Sequence, residues 1–122
     1  GLRAPLIDGG NGEFYGEEGF GSITVPVLQM YAIESDGGPH AGSEVIWPRL
    51  DGLNARRVGV EGGCHQTFAI GGCAGIGDEE GFRIVNGWTL AHARHHLFGD
   101  TSDSVVEILT GSHSLSASAV KP

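Results

Sequence analysis

Histidines are the side chains best suited to chemistry, and three of them crowd one stretch: His92, His95 and His96 in GWTLAHARHHLFGD. On a helix His92 and His96 stand one turn apart, so both imidazoles could face a single Zn²⁺, with His95 beside them. A third protein ligand would come from His40, His65, His113 or an acidic loop. The stretch departs from the helical metalloprotease pattern, which places Glu directly after the first histidine. Ala93 stands there, and no Asp or Glu lies between His92 and His96 to act as base. If the segment is extended instead, His92, Arg94 and His96 share a face and a weaker pair two residues apart remains. The plainer alternative is a polar helical face carrying surface histidines beside Arg94.

Cys64 and His65 are neighbours, which invites a cysteine nucleophile, since a thiolate needs a base and an electropositive setting. Adjacent residues of a strand point to opposite faces, so His65 is badly placed to serve Cys64. A bridge to Cys73 would remove the nucleophile altogether. Eight residues separate the two cysteines, and a disulfide there is worth about 2–3 kcal/mol on the chain-entropy account. Two free buried thiols are the alternative. The even count, the single lysine and the Gly/Ser-rich composition favour the bridge, and with it a secreted or extracellular protein.

No G-x-S-x-G elbow marks a serine hydrolase, and Gly111-Ser112-His113 reads as a turn. GGCAGIG lacks the G-K-[ST] of a phosphate loop. Asp78-Glu79-Glu80 and Asp100 to Asp103 gather oxygens that suit Ca²⁺. Neither follows the spaced ligand pattern of a calcium loop, so both read as solvated acidic turns. The sequence calls for no cofactor; zinc at the histidines and calcium at the acidic turns are those it would suit. Tyr15, Trp47 and Trp88 would form a sugar-stacking platform if exposed, although Trp in a small domain is ordinarily well buried. Gly9-Gly10-Asn11-Gly12 resembles the glycine-rich opening of jacalin-related lectins, whose three-fold β-prism binds sugars. The resemblance covers those four residues alone. Where that family carries a late G-x-x-x-x-L-D loop with its sugar-binding aspartate, this chain reads FGDTSDSVV, so no membership follows.

The elements that must position these groups follow from hydrophobic pattern. Arg56 to Val60 and Cys64 to Ile70 read as two strands of a central hairpin, turning at Glu61-Gly62-Gly63. Ser22 to Ile33 is the longest apolar run; its alternation slips by one residue beside Pro26, which reads as a β-bulge. Glu34 to Pro39 is a turn cluster, Ser43 to Trp47 a short strand, and Gly77 to Gly81 an acidic loop. Phe82 to Asn86, Ser104 to Leu109 and Ser112 to Ala119 alternate as further strands. Gly87 to Asp100 is the one helix expected, capped by Asn86 and closed by Gly99.

The expected fold is therefore mainly β: an antiparallel sandwich or barrel of about seven or eight short strands, with one helix at about residues 88–98. Residues 1–21, rich in glycine and acids, read as a flexible arm or long loop, and 22–122 as a single β-rich domain. Seven basic residues against fifteen acidic ones give a net charge of −8, a field that repels a phosphate backbone and argues against nucleic acid as partner. No apolar run approaches the roughly 20 residues of a membrane span. Gly1 at the start suggests a processed form. These features together point to a non-enzymatic, secreted binding or assembly protein: a lectin-like module, a secreted effector or toxin, or a subunit of a shell or filament. Its partner would be a carbohydrate or another protein, and a homo-oligomer is expected. The rival reading is a small metal-dependent enzyme built on the histidine cluster; a cysteine enzyme comes third.

Overall fold

The apolar run Val27–Ile33 forms β1, and six of its seven residues are buried. A strand covered on one face alternates apolar with polar residues, whereas one covered on both faces does not, and the latter is typical of parallel sheets. β1 pairs in parallel with β2 (Ala55–Glu61), in register from Val27↔Ala55 to Ile33↔Glu61. Parallel neighbours need a crossover, here α1 (Ala41–Ile46) followed by a 3₁₀ turn at Trp47–Leu50. After β2 come a second 3₁₀ turn (His65–Phe68), α2 (Asp78–Phe98) and α3 (Asp103–Thr110). β3 (Ala119–Lys121) then pairs antiparallel with β2, giving the order β1-β2-β3. The computed structural model describes residues 20–33, 41–69, 73–113 and 119–121.

Alternate residues of the parallel pair serve two different cores. Leu28, Met30, Val58 and Val60 pack against Ile84, Val85, Trp88 and Ala91 of α2 and against Val105 and Leu109 of α3. Val27 on the other face joins Phe20, Ile46 and Leu50 in a smaller cluster. On that second face Gln29, Ser43 and Arg57 are also buried. The Arg57 guanidinium lies 4.2 Å from the centre of the Tyr31 ring and pairs with Glu44. Gly59 makes the room: a Cβ there would sit 2.9 Å from the Tyr31 ring and hydroxyl.

The antiparallel sandwich or barrel, and the all-β character that goes with it, are not what the chain forms. The described residues build an open sheet containing one parallel pair, flanked by helices. Ser43 to Trp47, expected as a strand, falls in α1 and the 3₁₀ turn that follows. Cys64 to Ile70 is no hairpin partner; residues 65–68 are the second 3₁₀ turn, and Ile70 lies outside the described residues. The acidic loop 77–81 and the strand 82–86 belong to α2, and the strand 104–109 is α3. Short apolar windows satisfy either period, and length decides between them. Over α2 the buried positions Ile84, Val85, Trp88, Ala91 and His92 recur at helical spacing. Val105 and Leu109 do the same on α3.

The expected helix at 88–98 is the carboxyl half of α2. Asn86 is interior rather than a cap, while Gly99 does close the helix in the left-handed conformation. Asp78, Glu79 and Glu80 occupy the first turn, where the helix dipole favours negative charge. No bulge interrupts β1, whose register with β2 is continuous. Of the last expected strand, 114–118 lie outside the described residues, and 119–121 are β3. Residues 1–19 of the expected arm also lie outside them, whereas Phe20 is buried in the smaller core. No helix among the described residues is long and apolar enough to cross a membrane.

Candidate functional site

In open α/β sheets ligands bind outside the carboxyl ends of parallel strands, at a topological switch point. β1 ends at Ile33 and β2 at Glu61, tied by a hydrogen bond from Gly62 N–H to the Ile33 carbonyl (2.9 Å). Gly62 takes the left-handed backbone (φ 67°) that turns the chain across this edge. His65 begins the 3₁₀ turn four residues beyond Glu61, and it is exposed.

The turn that carries His65 is held from several directions. Thr67, itself buried, accepts a hydrogen bond on Oγ1 from Cys64 N–H (3.1 Å), and its N–H donates to the Cys64 carbonyl. Its hydroxyl also lies 3.0 Å from Cys73 Sγ, which it can reach as donor. Cys64 and Cys73 are joined by a disulfide, so neither supplies a thiolate. Cys73 in turn forms an antiparallel bridge with Ile76 immediately before α2. The two loops meet backbone to backbone: a Cβ on Gly62 would come within 2.5 Å of the Gly75 carbonyl oxygen. Thr67 also packs against α2, where a Cβ on Gly81 would lie 3.2 Å from Thr67 Cγ2.

At the opposite end of the pair, α2 brings the expected metal-binding histidines together with Arg56. The rings of His92 and His96 have centroids 4.5 Å apart, and those of His95 and His96 4.7 Å. His92 is buried, and its Nδ1 has no hydrogen-bond partner. Burial, then the charges of His96 and Arg56, push the His92 pKa down to about 4 against the favourable Pro26 carbonyl. His96 is lowered by the same kinds of cause, burial first. His95 Nδ1 lies 3.0 Å from the Asp100 carbonyl. His92 Nδ1 and the His96 ring are the groups here that could hold a divalent ion, beside the repelling charge of Arg56. No group of three or more His, Cys, Asp or Glu side chains gathers for a metal among the described residues; His40 lies outside them.

The remaining sequence candidates are dispersed. Trp88 is fully buried in the main core, and Tyr15 lies outside the described residues. Trp47 is half-buried beside Arg57, whose guanidinium is 5.5 Å from the ring centre. His113 follows α3, its N–H donating to the Glu107 carbonyl. Asp100 joins α2 to α3: hydrogen bonds from Ser102 and then from Arg94 hold its carboxyl at about 2. Two polar features escaped the sequence reading. One is the buried Gln29–Ser43–Arg57 cluster, signalled in the sequence by Gln29 interrupting the apolar run VLQMYAI. The other is the standing of His65 at a strand end, which appears only when β1 and β2 are seen to be parallel. Comparison with protein-family models, curated protein sequences and solved structures yields no match for the chain.

Proposed function

We propose that the chain supplies the acid–base histidine of a hydrolytic site at the carboxyl edge of the β1–β2 pair, in a protein that works outside the reducing cytosol. The observation that carries this reading is the position of His65: exposed, just past the end of a parallel strand, on a turn fastened by a disulfide and a buried threonine. A general base needs such fixity, because proton transfer depends on hydrogen-bond reach to the attacking oxygen. The disulfide supports the compartment, since reducing cytosol does not preserve such bridges. In hydrolases built on a parallel α/β sheet the acid precedes the histidine along the chain. Here Glu34 and Asp36 precede His65 in the sequence and are the acids this reading nominates. In this reading a carboxylate orients the imidazole, and the imidazole takes a proton from the attacking hydroxyl or water and returns it to the leaving group. A binding or assembly role is the second reading: the Cys64–Cys73 bridge supports it as well, while the β sandwich that also motivated it is not formed.

Hydrolysis of p-nitrophenyl acetate and butyrate by the native protein tests the proposal. His65→Ala is expected to lower kcat/KM by about 10²–10⁴-fold with the melting temperature unchanged, and Asp36→Asn or Glu34→Gln identifies the acid by a comparable loss. Full activity in His65→Ala, or none in the native protein, overturns it.

A further inference from the structure

We propose that the open pocket at the amino end of β2 is a separate ligand site, one that takes a neutral hydroxylated ring such as a sugar, stacked on Trp47 and hydrogen-bonded to Asp51. The pocket measures about 380 Å³ and is lined by Trp47, Pro48, Leu53, Asp51, Gly52 and Ala55. That volume falls among small-molecule sites, which combine an apolar wall with a few polar groups that fix orientation. Trp47 is half-buried, so part of the indole faces the pocket, and Asp51 is exposed. The indole has a cationic neighbour. Arg57 lies against it, itself stacked on Tyr31 and paired with Glu44.

Charge narrows the ligand class. The Asp51 carboxylate and a net charge of −8 disfavour anions. A cation would normally be drawn to an indole, but the guanidinium of Arg57 is already beside this one. What remains is an uncharged ring with an apolar C–H face for the indole and hydroxyls that donate to the carboxylate. Ala55 begins the strand whose other end leads to His65, and a strand of this length spans about 20 Å. The pocket is therefore distinct from the hydrolytic site proposed above.

Fluorescence titration of the native protein with methyl glycosides of glucose, galactose, mannose and N-acetylglucosamine is the test. The protein has two tryptophans, and Trp88 is fully buried, so a saturable change reports Trp47. We expect saturation with Kd on the order of millimolar. Trp47→Ala should abolish the binding, measured by saturation-transfer NMR because the reporter is gone. Asp51→Asn, at an exposed position that leaves folding intact, should weaken it about tenfold. His65→Ala should leave it unchanged, which separates this site from the catalytic one. Absence of a saturable change with every glycoside, or affinity undiminished in Asp51→Asn, overturns the proposal.

Discussion

His92 shows how one buried side chain makes the fold sensitive to pH. In the folded chain it titrates near 4, whereas an unfolded histidine titrates near its ordinary value of about 6.5. As pH falls below about 6.5 the unfolded state takes up the proton first, so stability present above that pH is lost progressively down to about 4. The loss should approach about 1 kcal/mol per pH unit in that window, and His92→Leu should flatten it. Urea denaturation at pH 7, 6, 5 and 4 checks this, and parallel slopes in the two proteins would rule it out. A second residue-scale expectation concerns Glu44. Arg57 is buried, and Glu44 is the carboxylate that pairs with it. Its removal leaves a guanidinium held between rings without a countercharge. Breaking a fully buried pair costs about 3–5 kcal/mol, but Glu44 is half-exposed and water can replace part of it. Glu44→Gln should therefore cost about 1–2 kcal/mol, read from the shift of the denaturation midpoint.

Among the elements, the segment from Gly62 to Gly81 depends most on fastenings outside its own hydrogen bonds. Its 3₁₀ turn is brief, its loops touch through glycine backbones, and the Cys64–Cys73 bridge closes it. Replacing both cysteines by serine should cost about 2–3 kcal/mol in the loop-entropy picture and should impair any activity that depends on His65. Gly62→Ala should be at least comparable in cost, because it combines a left-handed backbone with a clash against the Gly75 carbonyl. Equal stability of the serine variant and the parent in denaturant, without reductant, would contradict this. The same segment shows what could be read from the amino acids. The cysteine spacing and the closing role of Gly99 were legible, because each depends on chemistry local to the chain. The amino half of α2 was not. Gly81 and Gly87 read as breaks in the pattern, yet Gly81 sits inside the helix where Thr67 approaches it closely. Likewise VLQMYAI reads as a slipped alternation until its second covered face is known, since the parallel partner lies far along the sequence. The place of His65 beyond a strand end is invisible while strand direction is unknown.

The whole molecule places two cores on opposite faces of one strand pair, and this arrangement predicts how it unfolds. Trp88 is buried in the larger core between the sheet and the helices α2 and α3, and Trp47 borders the smaller one beneath α1. Neither core owns its strands. Val27 on β1 belongs to the smaller cluster while Leu28, its neighbour, belongs to the larger. Losing either core would leave the apolar side chains on one face of β1 in water, and a two-stranded ribbon is marginal by itself. The two faces should therefore melt together. Leu50→Ala removes a buried side chain from the smaller core and should cost about 2–5 kcal/mol. If the cores are coupled, that loss appears in full at Trp88, on the far side of the sheet. Single-tryptophan variants Trp47→Phe and Trp88→Phe, each with and without Leu50→Ala, make the comparison in urea. Coincident midpoints that shift together are expected for one cooperative unit. A Trp88 transition that stays fixed while the Trp47 transition moves would show that the strand pair does not couple its two faces.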